Sequence, residues 1–126
     1  MKTKKRLIYL PLGGAGEIGM NMYVYGYGFP GAEEFIIVDV GVSFPDMSTS
    51  PGVDLIMPDF SYIEDNKERL LGVFITHAHI GHYTGLMYFG REALGAHKVP
   101  VYVMPKMKQF LESNSPWNQL IDLDNV

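Results

Sequence analysis

Three of the four histidines in this chain fall within six residues, in Thr76-His77-Ala78-His79-Ile80-Gly81-His82, directly after an apolar run. Imidazole is a common metal ligand, and this spacing can aim more than one ring at a single ion. Residues two apart leave an extended strand on the same side, so His77 and His79 can face one point. His82 follows where Gly81 loosens the backbone and a helical pattern begins, which lets it turn back toward the same cavity. A lone histidine near a strand end is ordinarily polar surface or a hydrogen-bonded core group; H-x-H-x-x-H after a hydrophobic strand favours a metal site. The chain has no cysteine, so thiolate sites, disulfides and cysteine nucleophiles are excluded, and any ion must be held by nitrogen and oxygen. Zinc is the expected ion, with manganese as the alternative. His97, beside Lys98 in a polar turn, reads as solvated.

The elements that must position these groups follow from the hydrophobic pattern. Arg6 to Leu12 reads as a strand, and Asn21 to Tyr27, rich in tyrosine with Val24, as a second. Gly28-Phe29-Pro30-Gly31 is a turn, and Phe35 to Val40 a third strand that closes a hairpin on the second. From Gly41 to Asp59 three prolines and several small polar residues predict a long loop, with a short strand at Val53 to Met57; loops of this length tend to serve sites. Tyr62 to Arg69 reads as a helix, Leu71 to Thr76 as the strand that delivers the histidines, and His82 to Leu94 as a helix with Leu86, Phe89, Ala93 and Leu94 on one face. Val99 to Met104 is a further strand, Pro105 to Glu112 a helix with proline in its first turn, and Leu120 to Val126 the start of a strand. The expected class is α/β of the α+β type: an N-terminal β-meander followed by alternating α and β.

With 126 residues and 47% hydrophobic content, one domain spanning residues 1–126 with a true core is the expectation. The basic stretch Met1 to Arg6 precedes an apolar run that stops at Leu12, too short for a signal peptide, and no apolar stretch reaches membrane-spanning length. A cytoplasmic protein without a membrane partner is expected. The net charge of −4 argues against a broad nucleic-acid footprint, although Lys2, Lys4, Lys5 and Arg6 form a local basic patch. A solvated terminal arm accounts for that patch equally well.

Gly14-Ala15-Gly16-Glu17-Ile18-Gly19 matches G-x-G-x-x-G, follows a strand and has Asp39 twenty residues on, which imitates a dinucleotide fingerprint. The mechanism needs a helix starting inside the glycines so that its amides meet the pyrophosphate. Asn21 to Tyr27 is strand-like, so these glycines read as a tight turn that brings backbone close to a site, and no organic cofactor is expected.

The histidine motif resembles H-x-H-x-D-H of the metallo-β-lactamase superfamily, with Asp39 in Val38-Asp39-Val40-Gly41 at the superfamily's earlier aspartate. Leu12 to Asn21, Val38 to Gly41, Phe44-Pro45-Asp46 and Gly52 to Asp59 look like ribonuclease J, a resemblance covering Arg6 to His79. From His77 onward, His-Ala-His-Ile-Gly-His-Tyr-Thr-Gly-Leu-Met-Tyr and Pro116-Trp117-Asn118-Gln119-Leu120 look more like the pyrroloquinoline-quinone biosynthesis protein B group. A chimera joined at the histidine motif is the expectation this raises, and a quinone-cofactor biosynthesis role an alternative function.

The resemblance implies a metal-dependent hydrolase, nearest to a ribonuclease J-like phosphodiesterase acting on RNA. In it, two ions about 3.5 to 4 Å apart act on the scissile bond. It further implies His77 and His79 as ligands of the first ion, His82 as a remnant ligand of the second, and Asp39 as a carboxylate that orients the site and is the nearest oxygen donor. Gly81 stands where the motif has aspartate, so one second-ion ligand is missing, and the later ligands of the superfamily lie beyond Val126. The expectation is the N-terminal half of an αββα sandwich, truncated, with weak or no turnover alone. A non-catalytic scaffold is the competing reading. Half a sandwich leaves one sheet face open, with Tyr23, Tyr25, Ile37, Phe74 and Val101 as expected occupants, and a homodimer could cover it. Trp117 reads as a packing anchor.

Overall fold

The computed structural model describes residues 4–46, 48 and 50–126; Lys2 of the basic patch lies outside them. Its frame is one five-stranded sheet in the order β1-β2-β3-β4-β5, formed by β1 (Arg6–Gly13), β2 (Met22–Gly28), β3 (Glu34–Val38), β4 (Leu70–Phe74) and β5 (Val101–Tyr102). The first three strands pair antiparallel, and β4 and β5 join parallel. Helices α1 (Ser61–Asp65), α2 (Ile80–Tyr83), α3 (Pro105–Ser113) and α4 (Trp117–Asp122) complete the mixed α+β architecture. The β-meander followed by alternating elements agrees with the sequence pattern. Among the described residues, no helix is long and apolar enough to cross a membrane.

Alternation along the strands decides which side is core. Met22, Val24, Phe35, Ile37 and Val73 are buried, and with Ile63, Leu86, Phe89, Met107, Leu111 and Leu120 they form one cluster under the helices. On the opposite side Tyr9, Tyr25, Tyr27, Phe74 and Tyr102 stay exposed. Phe74 and Tyr102 stack at 4.5 Å, and Tyr9 lies 5.2 Å from Tyr25. One sheet face is therefore open, as expected, but two of its expected occupants are elsewhere. Ile37 pairs with Val24 on the helix-covered side and is fully buried, and Val101 packs against the same core. Period-two alternation puts both opposite to Tyr25 and Phe74.

Several predicted elements differ. The helix expected over His82 to Leu94 is only α2 followed by a 3₁₀ stretch, Thr84–Phe89. Gly85 explains the break: its amide donates to the Val40 carbonyl at 2.8 Å, and a Cβ there would meet that oxygen at 2.9 Å, so the segment is pinned to the strand end. Leu86 and Phe89, three apart, still bury together, a spacing that 3₁₀ geometry also serves. The expected helix over Tyr62 to Arg69 is α1 plus a 3₁₀ turn, Lys67–Arg69. No strand forms at Val53 to Met57; Ser43 and Ile56 make only an isolated bridge. Leu120 to Val126 is not a strand: α4 runs through Leu120, and the Asn125 amide returns to the Leu120 carbonyl at 2.8 Å. Trp117 packs 5.1 Å from Tyr83 and 5.6 Å from Phe110.

Candidate metal centre

The parallel pairing of β3 with β4 brings two strand ends together, and the polar cluster forms there. Asp39 follows β3 and its amide donates to the Phe74 carbonyl at 2.8 Å. It is buried and holds φ of 61°, a left-handed conformation that aspartate visits more readily than most residues. Backbone held this way clusters at functional sites. The next residue continues the clamp, with the Val40 amide donating to the His82 carbonyl at 2.7 Å.

The Asp39 carboxylate is fully engaged. Oδ1 accepts from the Thr76 amide at 2.7 Å, and the Thr76 hydroxyl lies 3.0 Å from Oδ1 and 2.8 Å from Oδ2. His82 donates from Nδ1 to Oδ2 at 2.7 Å. Both Asp39 oxygens are thus occupied by Thr76 and His82. The bond at Nδ1 leaves His82 Nε2 as its basic nitrogen, the arrangement by which carboxylates set metal-binding imidazoles.

Thr76 extends the same control to His77. Its hydroxyl, donating to Asp39, can accept from His77 Nδ1 at 2.9 Å. This leaves His77 Nε2 as the free acceptor, 3.1 Å from His79 Nδ1. Sequence reasoning quoted Thr76 without giving it a role; the only signal was a hydroxyl residue between strand and first histidine.

The rings gather closely: His77 and His82 have centroids 3.9 Å apart, His77 and His79 4.5 Å, and His79 and His82 6.4 Å. Desolvation holds the His77 imidazole below its usual value of 6.5, with His82 and His79 adding to the effect and Asp39 opposing it. A neutral imidazole is the form that binds metal. Among the described residues, no three His, Asp or Glu side chains already aim at one point that would hold an ion. Two do fit. Ligands of tetrahedral zinc at Zn–N of about 2.0–2.1 Å are roughly 3.3 Å apart, close to the 3.1 Å between His77 Nε2 and His79 Nδ1. The donor pair suits half of a nitrogen cage, with His82 Nε2 the next candidate after a ring rotation.

The glycine loop bears on this cluster from below. No helix starts within Gly14–Gly19; the loop leads directly into β2. The Asn21 amide donates to the Gly81 carbonyl at 2.9 Å, and the Gly41 amide to the Asn21 carbonyl at 2.9 Å. A Cβ on Gly41 would lie 1.5 Å from Gly81 O, and one on Gly81 would lie 2.9 Å from Gly19 Cα. Three glycines thus let three backbones meet beneath the histidines.

No family model matches the chain. Among curated proteins, ribonuclease J of Sinorhizobium meliloti is 43% identical over 113 residues, covering 90% of this chain and 19% of that protein. The chain is similar to ribonuclease J along most of its length. Ribonuclease J 2 of Staphylococcus aureus is 40% identical over 101 residues, covering 80% of the chain and 16% of the relative, and ribonuclease J 2 of Staphylococcus epidermidis matches to the same extent. The chain therefore spans less than a fifth of the length of these relatives. A match over 113 residues is longer than the stretch from Arg6 to His79, so the similarity to ribonuclease J does not stop at the histidine motif. The separate resemblance of the later part to the quinone-biosynthesis group, and with it the chimera, gains no support from these relatives.

Proposed function

We propose that this chain is the metal-binding part of a metal-dependent phosphodiesterase of the metallo-β-lactamase type, acting on RNA, with little turnover by itself. One observation carries the reading: Asp39 orients His82 and Thr76 orients His77, whose Nε2 lies 3.1 Å from His79 Nδ1, near zinc-ligand spacing. Similarity to ribonuclease J supports RNA as the substrate class. A bound zinc or manganese ion would supply Lewis-acid stabilisation and a water more acidic than bulk water.

The contribution of the chain's own residues follows from their geometry. His77 and His79 would hold the ion, and His82 would complete the nitrogen set. Asp39 keeps His82 with its proton on Nδ1, and Thr76 does the same for His77 through one intervening hydroxyl. Gly81 contributes no side-chain donor, which favours a single ion and supports slow chemistry or the scaffold reading. The open tyrosine-rich sheet face supports a homodimer, since it carries many large side chains and little charge that would select a charged partner.

Elemental analysis of the purified chain beside His77→Ala/His79→Ala tests the centre. Stoichiometric metal that disappears in the double variant supports it. A folded wild-type protein that takes up neither zinc nor manganese leaves the scaffold reading. Cleavage of a labelled single-stranded RNA by the metal-loaded chain, lost in the double variant, would separate slow catalysis from metal binding alone.

A further inference from the structure

Beside His77 the surface falls into a cleft of about 430 Å³, whose lining includes Thr76, His77, Tyr83, Met104, Lys106 and Phe110. A volume of this size accommodates a small-molecule ligand. Met104 is 69% exposed and Phe110 36% exposed, so a thioether and an aromatic ring are left in water at the mouth. Phe110 is braced from behind by Tyr83 at 5.9 Å and Trp117 at 5.6 Å, which holds the ring in place without covering it.

Lys106 is the one cation of this lining, and among the described residues it makes no ion pair. Lys108, two residues on, pairs instead with Glu112. Lys106 also sits in the first turn of α3, where the helix dipole disfavours a positive charge. An unpaired cation thus lines the cleft beside the aromatic ring.

We propose that this cleft is a nucleotide subsite: a nucleobase packs against Phe110 and Met104 while the Lys106 ammonium takes the adjoining phosphate, beside the His77 and His79 nitrogens. The inference rests on the proposed action on RNA and gives it a place for one nucleotide of the strand. Base stacking on an aromatic ring is tolerant of sequence, so the subsite positions a strand and reads no particular base. Lys106 and Phe110 are positioning residues.

The test is titration of the ¹⁵N-labelled, metal-free chain with adenosine 5′-monophosphate, adenosine and ribose 5-phosphate, followed by amide chemical shifts. The monophosphate should shift residues 76–78 and 103–111. Lys106→Met should weaken the monophosphate about tenfold, as loss of a charge-assisted contact implies, and leave adenosine unchanged. Phe110→Leu should weaken monophosphate and adenosine alike while keeping the fold. Absence of shifts in the cleft, or equal binding of ribose 5-phosphate and the monophosphate, overturns the subsite even if the protein binds zinc. Binding that survives in a chain taking up no metal upholds the subsite and removes only the metal reading.

Discussion

Asp39 and His82, forty-three positions apart in sequence, meet in a 2.7 Å hydrogen bond from imidazole Nδ1 to carboxylate Oδ2. Replacing Asp39 with asparagine keeps the left-handed backbone accessible but removes the charge that fixes the His82 proton. Metal affinity should fall about 10–100-fold, the range for losing a carboxylate behind a ligating histidine. Isothermal titration with zinc measures it. An unchanged affinity would mean that Asp39 serves the fold alone.

Thr76 gives a finer probe of the same network. Thr76→Val keeps the shape of the side chain and removes the hydroxyl that joins His77 to Asp39. It should cost about 1–3 kcal/mol in urea unfolding, because the buried carboxylate loses a donor, and should weaken zinc binding as well. Thr76→Ser should recover most of both.

The glycines beneath the cluster should tolerate little. Gly41→Ala places a methyl group on the Gly81 carbonyl and should destabilise by about 3 kcal/mol or more. Gly81→Asp brings a Cβ to 2.9 Å from the Gly19 Cα, so the backbone must move to admit it and the fold should lose stability, read by urea unfolding. By the superfamily motif it should raise bound metal from one equivalent to two, read by elemental analysis.

Acid sensitivity should centre on Glu33, away from the histidines. This buried carboxylate accepts from Arg6 Nε at 2.6 Å and from the Gly31 amide at 2.9 Å, with Arg69 Nη1 at 3.5 Å. A hydrogen bond from its own backbone, then the one from Arg6, hold its pKa below the usual 4.5, against burial. The fold therefore favours the ionised form. Its contribution is complete above pH 4.5 and is lost as pH falls through the lower folded value. Glu33→Gln should lower the Tm at pH 7 and flatten its decline in acid, as thermal melts across pH 3 to 6 would show.

The open face predicts association. Light scattering should give a dimer at high concentration, and Tyr25→Glu with Phe74→Glu should return it to monomer without loss of helical signal. A monomer at every concentration would leave that face uncovered in solution.

The sequence made the meander legible because tyrosine and β-branched runs flank Gly28-Phe29-Pro30-Gly31, a turn with few alternative structures. The histidine cluster was equally plain from spacing. The helix after His82 was not, because Leu86 and Phe89 fit α and 3₁₀ spacing alike, and only the packing of Gly85 on Val40 decides between them. The role of Thr76 was hidden for a similar reason: which group its hydroxyl serves depends on the pairing of β3 with β4, a long-range contact, and Asp39 was read as an orienting carboxylate only through the family resemblance. Ile37 was placed on the wrong face because strand composition shows that a residue is apolar without showing the register.

That pairing also sets an order of events. The meander closes through a turn of a few residues, whereas the bonds from Thr76 and His82 to Asp39 span 37 and 43 positions. Longer closures cost more chain entropy before any contact repays them. The histidine cluster is thus expected to mature late, once the end of β4 docks beside β3. Slow opening of this strand pair would free Asp39, Thr76 and His82 together, making the cluster gain and lose its structure as one cooperative unit.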